Sequence, residues 1–155
     1  MEMDRTSHNL VGRCGLYCGA CMIYNCSHDL AYGEKRSQLA ARYNIPPEKV
    51  TCQGCMALTG ECWGNDCKIV ACLRGKDLGM CIQCEELLKS CPTWQSICKD
   101  YEEQYGGLLS AMERVKAGGT DDWLAEMDAR MRCPNCHGTI CYFEEVCIRC
   151  ENQLT

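Results

Sequence analysis

The stretch Cys133–Cys150 reads CPNCHGTICYFEEVCIRC. It holds Cys133-x2-Cys136, a spacer of ten residues, and Cys147-x2-Cys150. Two residues between thiols let a tight turn aim both sulfurs at one ion. Two such turns supply the four thiolates of a closed tetrahedral site. The spacer carries Ile140 to Phe143, with strand character, and Glu144-Glu145 suits a turn. The expected structure is a C-terminal zinc-ribbon β-hairpin around one structural zinc. Mononuclear iron accepts the same ligands. Cys141 is left over and is expected to face a small core, and His137 is read as a surface residue.

Outward from this stretch, thiols dominate the chain. Eighteen of 155 residues are cysteine, roughly 12%, above the ~8–10% that marks a special scaffold in a short chain. Hydrophobic residues make up 46%, but without the cysteines that share falls to about a third. Aromatic residues are only 7%. The cysteines are therefore expected to stand in for much of a core. The first residues, MEMDRTSHNLVGRCG, lack a basic start followed by an apolar run. No apolar stretch approaches the ~18 residues of a membrane span. The chain is expected to be cytoplasmic, where thiols stay reduced. Metal is then favoured over disulfides, and over a redox dithiol, which would need a strand–helix setting.

Five Cys-x-x-Cys pairs occur: Cys18/Cys21, Cys52/Cys55, Cys81/Cys84, Cys133/Cys136 and Cys147/Cys150. The first cluster, residues 14–26, adds Cys14 and Cys26. Its three thiolates Cys14, Cys18 and Cys21 need a fourth ligand, with Cys26, His28 or a cysteine of the 52–91 region as candidates. The spacing of those three resembles that of radical S-adenosylmethionine enzymes, but a chain this short cannot complete their barrel. The second cluster holds nine cysteines: Cys52, Cys55, Cys62, Cys67, Cys72, Cys81, Cys84, Cys91 and Cys98. Its turns and short helices do not divide into sites by spacing alone. Several zinc ions are expected, with iron–sulfur clusters possible in the first two cysteine clusters, because both metals accept thiolates.

Helical patterning separates these clusters. Leu39, Ala40 and Tyr43 share a face over residues 34–44, with Pro46-Pro47 as the stop. Lys68 to Leu73 suits a short helix. Trp94, Ile97, Cys98, Tyr101, Tyr105, Leu108, Leu109, Met112 and Val115 form an apolar stripe over 94–117, split at Gly106-Gly107. Thr120 opens another helix, with Trp123, Leu124, Met127 and Met131 on one face. The expected fold class is a small metal-stabilised α+β protein of cysteine-rich loops and short helices, a helical segment and the C-terminal zinc-ribbon hairpin. The expected divisions are a flexible tail (1–12), a cysteine-rich metal-binding domain (13–98), a helical segment (99–132) and a zinc ribbon (133–155).

Other chemistry is largely missing. Gly75-Lys76 resembles the end of a phosphate loop, but Asp77 replaces the hydroxyl residue and position 70 is Val. Only three histidines are present, which argues against a catalytic zinc held by several imidazoles. The formal net charge is −5 and no basic stripe is present, so nucleic acid is an unlikely partner. Arg130, Arg132 and Arg149 near the ribbon are offset by Glu144, Glu145 and Glu151. A protein partner fits better, and no enzyme mechanism is legible.

With these residues in view, the chain resembles the uncharacterised cysteine-rich family catalogued as domain of unknown function 3795. CGLYCGAC at Cys14–Cys21 matches its opening, CQGC at Cys52–Cys55 its second pair, and CKIVAC at Cys67–Cys72 its third motif. RGKDLGMCIQC supplies Cys81 and Cys84, with Cys91 closing the segment. The Trp123 helix and the cysteines from Cys133 to Cys150 continue the likeness. Cys26, Cys98 and Cys141 lie outside the pattern. The resemblance implies metal binding but no particular activity.

Overall fold

Cys91 and Pro92 begin the longest helix of the chain, and the way they do so is typical of how this fold is built. Pro92 takes the first helical position, where its missing N–H costs nothing. The Cys91 sulfur accepts the Trp94 N–H at 3.4 Å and caps the helix. In the computed structural model, which describes residues 4–154, seven α-helices are joined by loops and 3₁₀ turns. They are α1 (Met22–His28), α2 (Gly33–Tyr43), α3 (Lys68–Gly75), α4 (Glu85–Lys89), α5 (Pro92–Tyr105), α6 (Leu108–Lys116) and α7 (Thr120–Arg130).

The apolar stripes do become helices, and their ends have local causes. Gly106 (φ 68°) and Gly107 (φ 74°) break α5 from α6. Helix α2 stops before Pro46-Pro47, because Asn44 takes the left-handed conformation (φ 53°) and its N–H bonds back to Ala40 and Ala41. Helices α6 and α7 pack together, and Arg114 reaches Glu126 with two hydrogen bonds of 2.6 and 2.9 Å.

The expected α+β architecture is not found. Among the described residues there is no sheet, only three isolated bridges: Val11 with Tyr17, Arg132 with Thr139, and Val146 with Gln153. The zinc-ribbon hairpin is absent because its strand-forming residues are used elsewhere. Tyr142 N–H donates to the Ala20 carbonyl (2.9 Å), Phe143 N–H to the Tyr105 hydroxyl (2.6 Å), and Cys141 N–H to a Glu144 carboxylate oxygen (2.6 Å). Phe143 itself has φ 65°, which no strand accepts. These contacts, to a 3₁₀ turn, to the end of α5 and within the segment itself, override the β propensity of Ile140–Phe143.

Three apolar clusters hold the helices. One joins Leu10, Val11, Tyr17 and Tyr24 to Trp123 and Leu124 of α7 and to Tyr142. A second joins Ile69 and Leu73 of α3, Trp94 and Cys98 of α5, and Leu108 and Met112 of α6. The third holds Cys26, Tyr32, Ala40, Val50 and Cys141. Leu16 and Tyr101 pack against both of the first two. Apolar side chains thus form real cores, with thiols set among them. The segment expected as a loose tail is anchored by part of its residues: Arg5 is buried and Leu10 and Val11 belong to the first cluster, while Thr6, His8 and Asn9 are exposed. Residues 1–3 of that tail lie outside the described residues.

Candidate metal centre

Cys133 and Cys147 are fully buried, and each opens a tight turn of the same shape. In the first turn His137 N–H donates to the Cys133 carbonyl (2.9 Å), Cys133 N–H donates to the Gly138 carbonyl (2.8 Å), and His137 has φ 60°. In the second, Glu151 N–H donates to Cys147 (2.9 Å), Cys147 N–H to Asn152 (2.9 Å), and Glu151 has φ 61°. The bridges Arg132–Thr139 and Val146–Gln153 close each turn at the same offset. The two turns are one unit repeated, each a knuckle carrying two thiols.

The knuckles face each other across a small space. Cys133 and Cys150 sulfurs are 3.6 Å apart, and Cys136 and Cys147 sulfurs 3.7 Å apart. All four lie within 4.8 Å of one another. A tetrahedron with metal–sulfur bonds of about 2.3 Å has edges of about 3.8 Å. The four thiols are therefore placed to hold one metal ion. Further donors prepare them for it: Gly138 N–H points at Cys136, and the Asn135 amide and Asn152 N–H point at Cys150. The Asn135 and Asn152 donors hold the Cys150 thiol down at about 6. Asn135 and Asn152 carry no signal that sequence reading could have used.

The remaining candidate ligands fall into groups that the spacing did not reveal. Cys14 packs beside Cys98, and that neighbour's hydrogen bond holds the Cys14 thiol below its ordinary range. Cys18 faces Cys55; the contact, then burial, pushes Cys18 well up, while the same contact brings Cys55 down to about 6. Cys21 lies close to both Cys14 and Cys55, and burial raises it. Cys52 and Cys62 are neighbours. Cys72, Cys81, Cys84 and Cys91 line one pocket, and Cys67 lies at the start of α3.

Arg13 ties these groups together. Its N–H donates to the Cys55 sulfur (3.4 Å), its guanidinium to the Cys55 and Gly79 carbonyls (3.3 and 2.8 Å), and its carbonyl accepts the Cys81 N–H (2.9 Å). The Trp94 indole N–H donates to the Cys14 carbonyl at 3.0 Å. Arg5, buried, donates to the Gly19 carbonyl (2.6 Å), the Asn25 side chain (3.2 Å) and Asp128 (2.9 Å). Asn25 in turn donates to Gly19 and Cys21 carbonyls (2.8 and 2.9 Å). Arg5, Arg13 and Asn25 thus shape the CGLYCGAC loop, although nothing in their spacing marks them.

Three cysteines outside the expected ligand set are buried, one of them, Cys98, against Cys14. Cys26, Cys98 and Cys141 are buried in apolar clusters, and burial pushes the Cys26 thiol up to about 11. His28 donates its Nε2–H to the Cys52 carbonyl at 2.8 Å, which leaves Nδ1 as the ring's acceptor. His137 sits on the surface, as expected.

Comparison with known proteins adds one finding. Neither the curated proteins nor the solved structures contain a match to the chain. The family described as protein of unknown function, DUF3795, matches residues 10–96. The match takes in CGLYCGAC, CQGC, CKIVAC and CIQC and ends before the 133–150 site. It covers more than half of the chain, which therefore belongs to the DUF3795 family.

Proposed function

We propose that the chain is a multi-metal protein in which zinc, bound by Cys133, Cys136, Cys147 and Cys150, is structural, and that its role is to present a surface to a protein partner in the cytoplasm. One observation carries this reading: four sulfurs spaced at the edges of a metal–thiolate tetrahedron. Zinc suits the site because it accepts four thiolates in that geometry without any preference from d-electrons. Closed coordination by four protein ligands leaves no position for substrate or water, so the ion serves folding. No helix among the described residues is long and apolar enough to cross a membrane. The absence of a basic stripe favours a protein over nucleic acid as partner.

Elemental analysis of protein purified without oxygen tests the reading. The expected result is zinc bound in the wild type, with one zinc per chain lost in Cys133→Ser and in Cys150→Ser. Stoichiometric iron retained in this site after exposure to excess zinc overturns the choice of metal. Four thiols that react freely with a thiol reagent in the presence of zinc overturn the site itself.

A further inference from the structure

Cys72, Cys81, Cys84 and Cys91 come from four different places. Cys72 lies in α3, Cys81 in a 3₁₀ turn, Cys84 just before α4 and Cys91 just before α5. Together they line one pocket whose other walls are mostly apolar, including Trp94. Thiols converging on a shared space have a reason to be there, because isolated buried cysteines pack like any small apolar side chain.

Three features make this pocket different from the 133–150 site. First, its four sulfurs do not all lie within 4.8 Å of one another. Among the described residues the ligand atoms drawn within 4.8 Å of one another are those of Cys133, Cys136, Cys147 and Cys150. One ion pulls its four thiolates onto a single tetrahedron, whereas a four-iron, four-sulfide cluster gives each thiolate its own iron and holds the thiolates apart. Second, the Lys76 ammonium donates to the Cys84 sulfur at 3.3 Å and is also paired with Glu86 at 3.1 Å. A cation at a thiolate offsets the negative charge of a four-thiolate cluster. Third, the Trp94 N–H donates to the Cys91 sulfur at 3.4 Å, at the N-terminus of the 14-residue helix α5. That end of a helix favours negative charge.

We propose that Cys72, Cys81, Cys84 and Cys91 hold a polynuclear iron–sulfur cluster, with Lys76 as its charge-compensating neighbour. This rests on the reading of the chain as a multi-metal thiolate protein and adds a redox-active site to it. Cys84 is only partly buried and Lys76 is exposed, so this edge of the cluster is where an electron partner approaches. Lys76 stabilises the more negative, reduced state of the cluster, and its hydrogen bond to sulfur acts in the same direction.

The test is anaerobic reconstitution of the full chain with ferric iron, sulfide and excess dithiothreitol, which supplies the electrons for a mixed-valence core. Iron and acid-labile sulfide are expected in equal amounts, with an absorption band at about 400 nm that bleaches on reduction. Cys84→Ala and Cys91→Ala are expected to lose both sulfide and band. Lys76→Gln, a surface change, is expected to keep the cluster and to shift its reduction potential to a more negative value. Zinc retained at Cys133–Cys150 with no sulfide bound overturns this proposal and leaves the zinc reading intact. Sulfide retained in both cysteine variants places the cluster elsewhere and overturns it too. An unchanged potential in Lys76→Gln overturns the role of the lysine.

Discussion

Gly15 sits in the first cysteine motif with φ 98°, and a Cβ there would lie 2.5 Å from the Leu108 carbonyl oxygen. Backbone meets backbone at that point, so no side-chain rotation relieves the clash. A non-glycine residue at positive φ already costs roughly 1–2 kcal/mol. Gly15→Ala is therefore expected to destabilise the protein by more than about 2 kcal/mol. Gly33, at the start of α2, has nothing within 4 Å of its Cβ position. Gly33→Ala is expected to be neutral or to stabilise by up to ~1 kcal/mol. Denaturant unfolding of the two variants measures the contrast. At this scale the four cysteines of the metal centre were legible, since their spacing is local. Arg5, Asn25 and Asn135 were not, because what they do depends on carbonyls and sulfurs brought near only by the folded chain.

Helix faces were legible too, and for the same reason: periodicity is a property of neighbours in sequence. Leu108 and Met112, one turn apart on α6, both enter the second apolar cluster. Met112 is fully buried there. Met112→Ala is expected to cost about 2–5 kcal/mol, which thermal unfolding reads as a fall of about 2–4 °C per kcal/mol. The error at this scale was the C-terminal hairpin. Ile140–Phe143 has strand-forming side chains, but its backbone donors reach Met131, Glu144, Ala20 and Tyr105 in turn. A pattern of side chains does not reveal where a backbone N–H will find its acceptor. The grouping of Cys14 to Cys98 was hidden likewise, since contacts such as that between Arg13 and Cys55 join distant segments.

Across the whole molecule, the proposed thiolate ligation would make metal content a function of pH. Each ligand must lose its proton to bind, so protons compete with metal. Release from the 133–150 site is expected to rise as pH falls below neutrality, and more steeply than for one proton, because several thiolates are involved. A coloured zinc indicator in a pH series measures this, and release independent of pH would contradict thiolate coordination. The folded protein is held by apolar clusters as well as thiols, so loss of this ion is expected to loosen the C-terminal knuckles before the helices.

Tyr142 lies on the segment between the two knuckles, yet its hydroxyl accepts the Tyr17 N–H at 3.0 Å and its own N–H reaches Ala20 at 2.9 Å. Both partners belong to the CGLYCGAC loop. The linker of the metal centre is thus a wall of the N-terminal cysteine motif. An ion that orders the linker also orders that loop, and anything that orders the loop tightens the knuckles. Thermodynamic linkage makes such an effect equal in both directions. Occupancy of the C-terminal centre and of any ligand held by the loop should be cooperative, with Tyr142 as the coupling element.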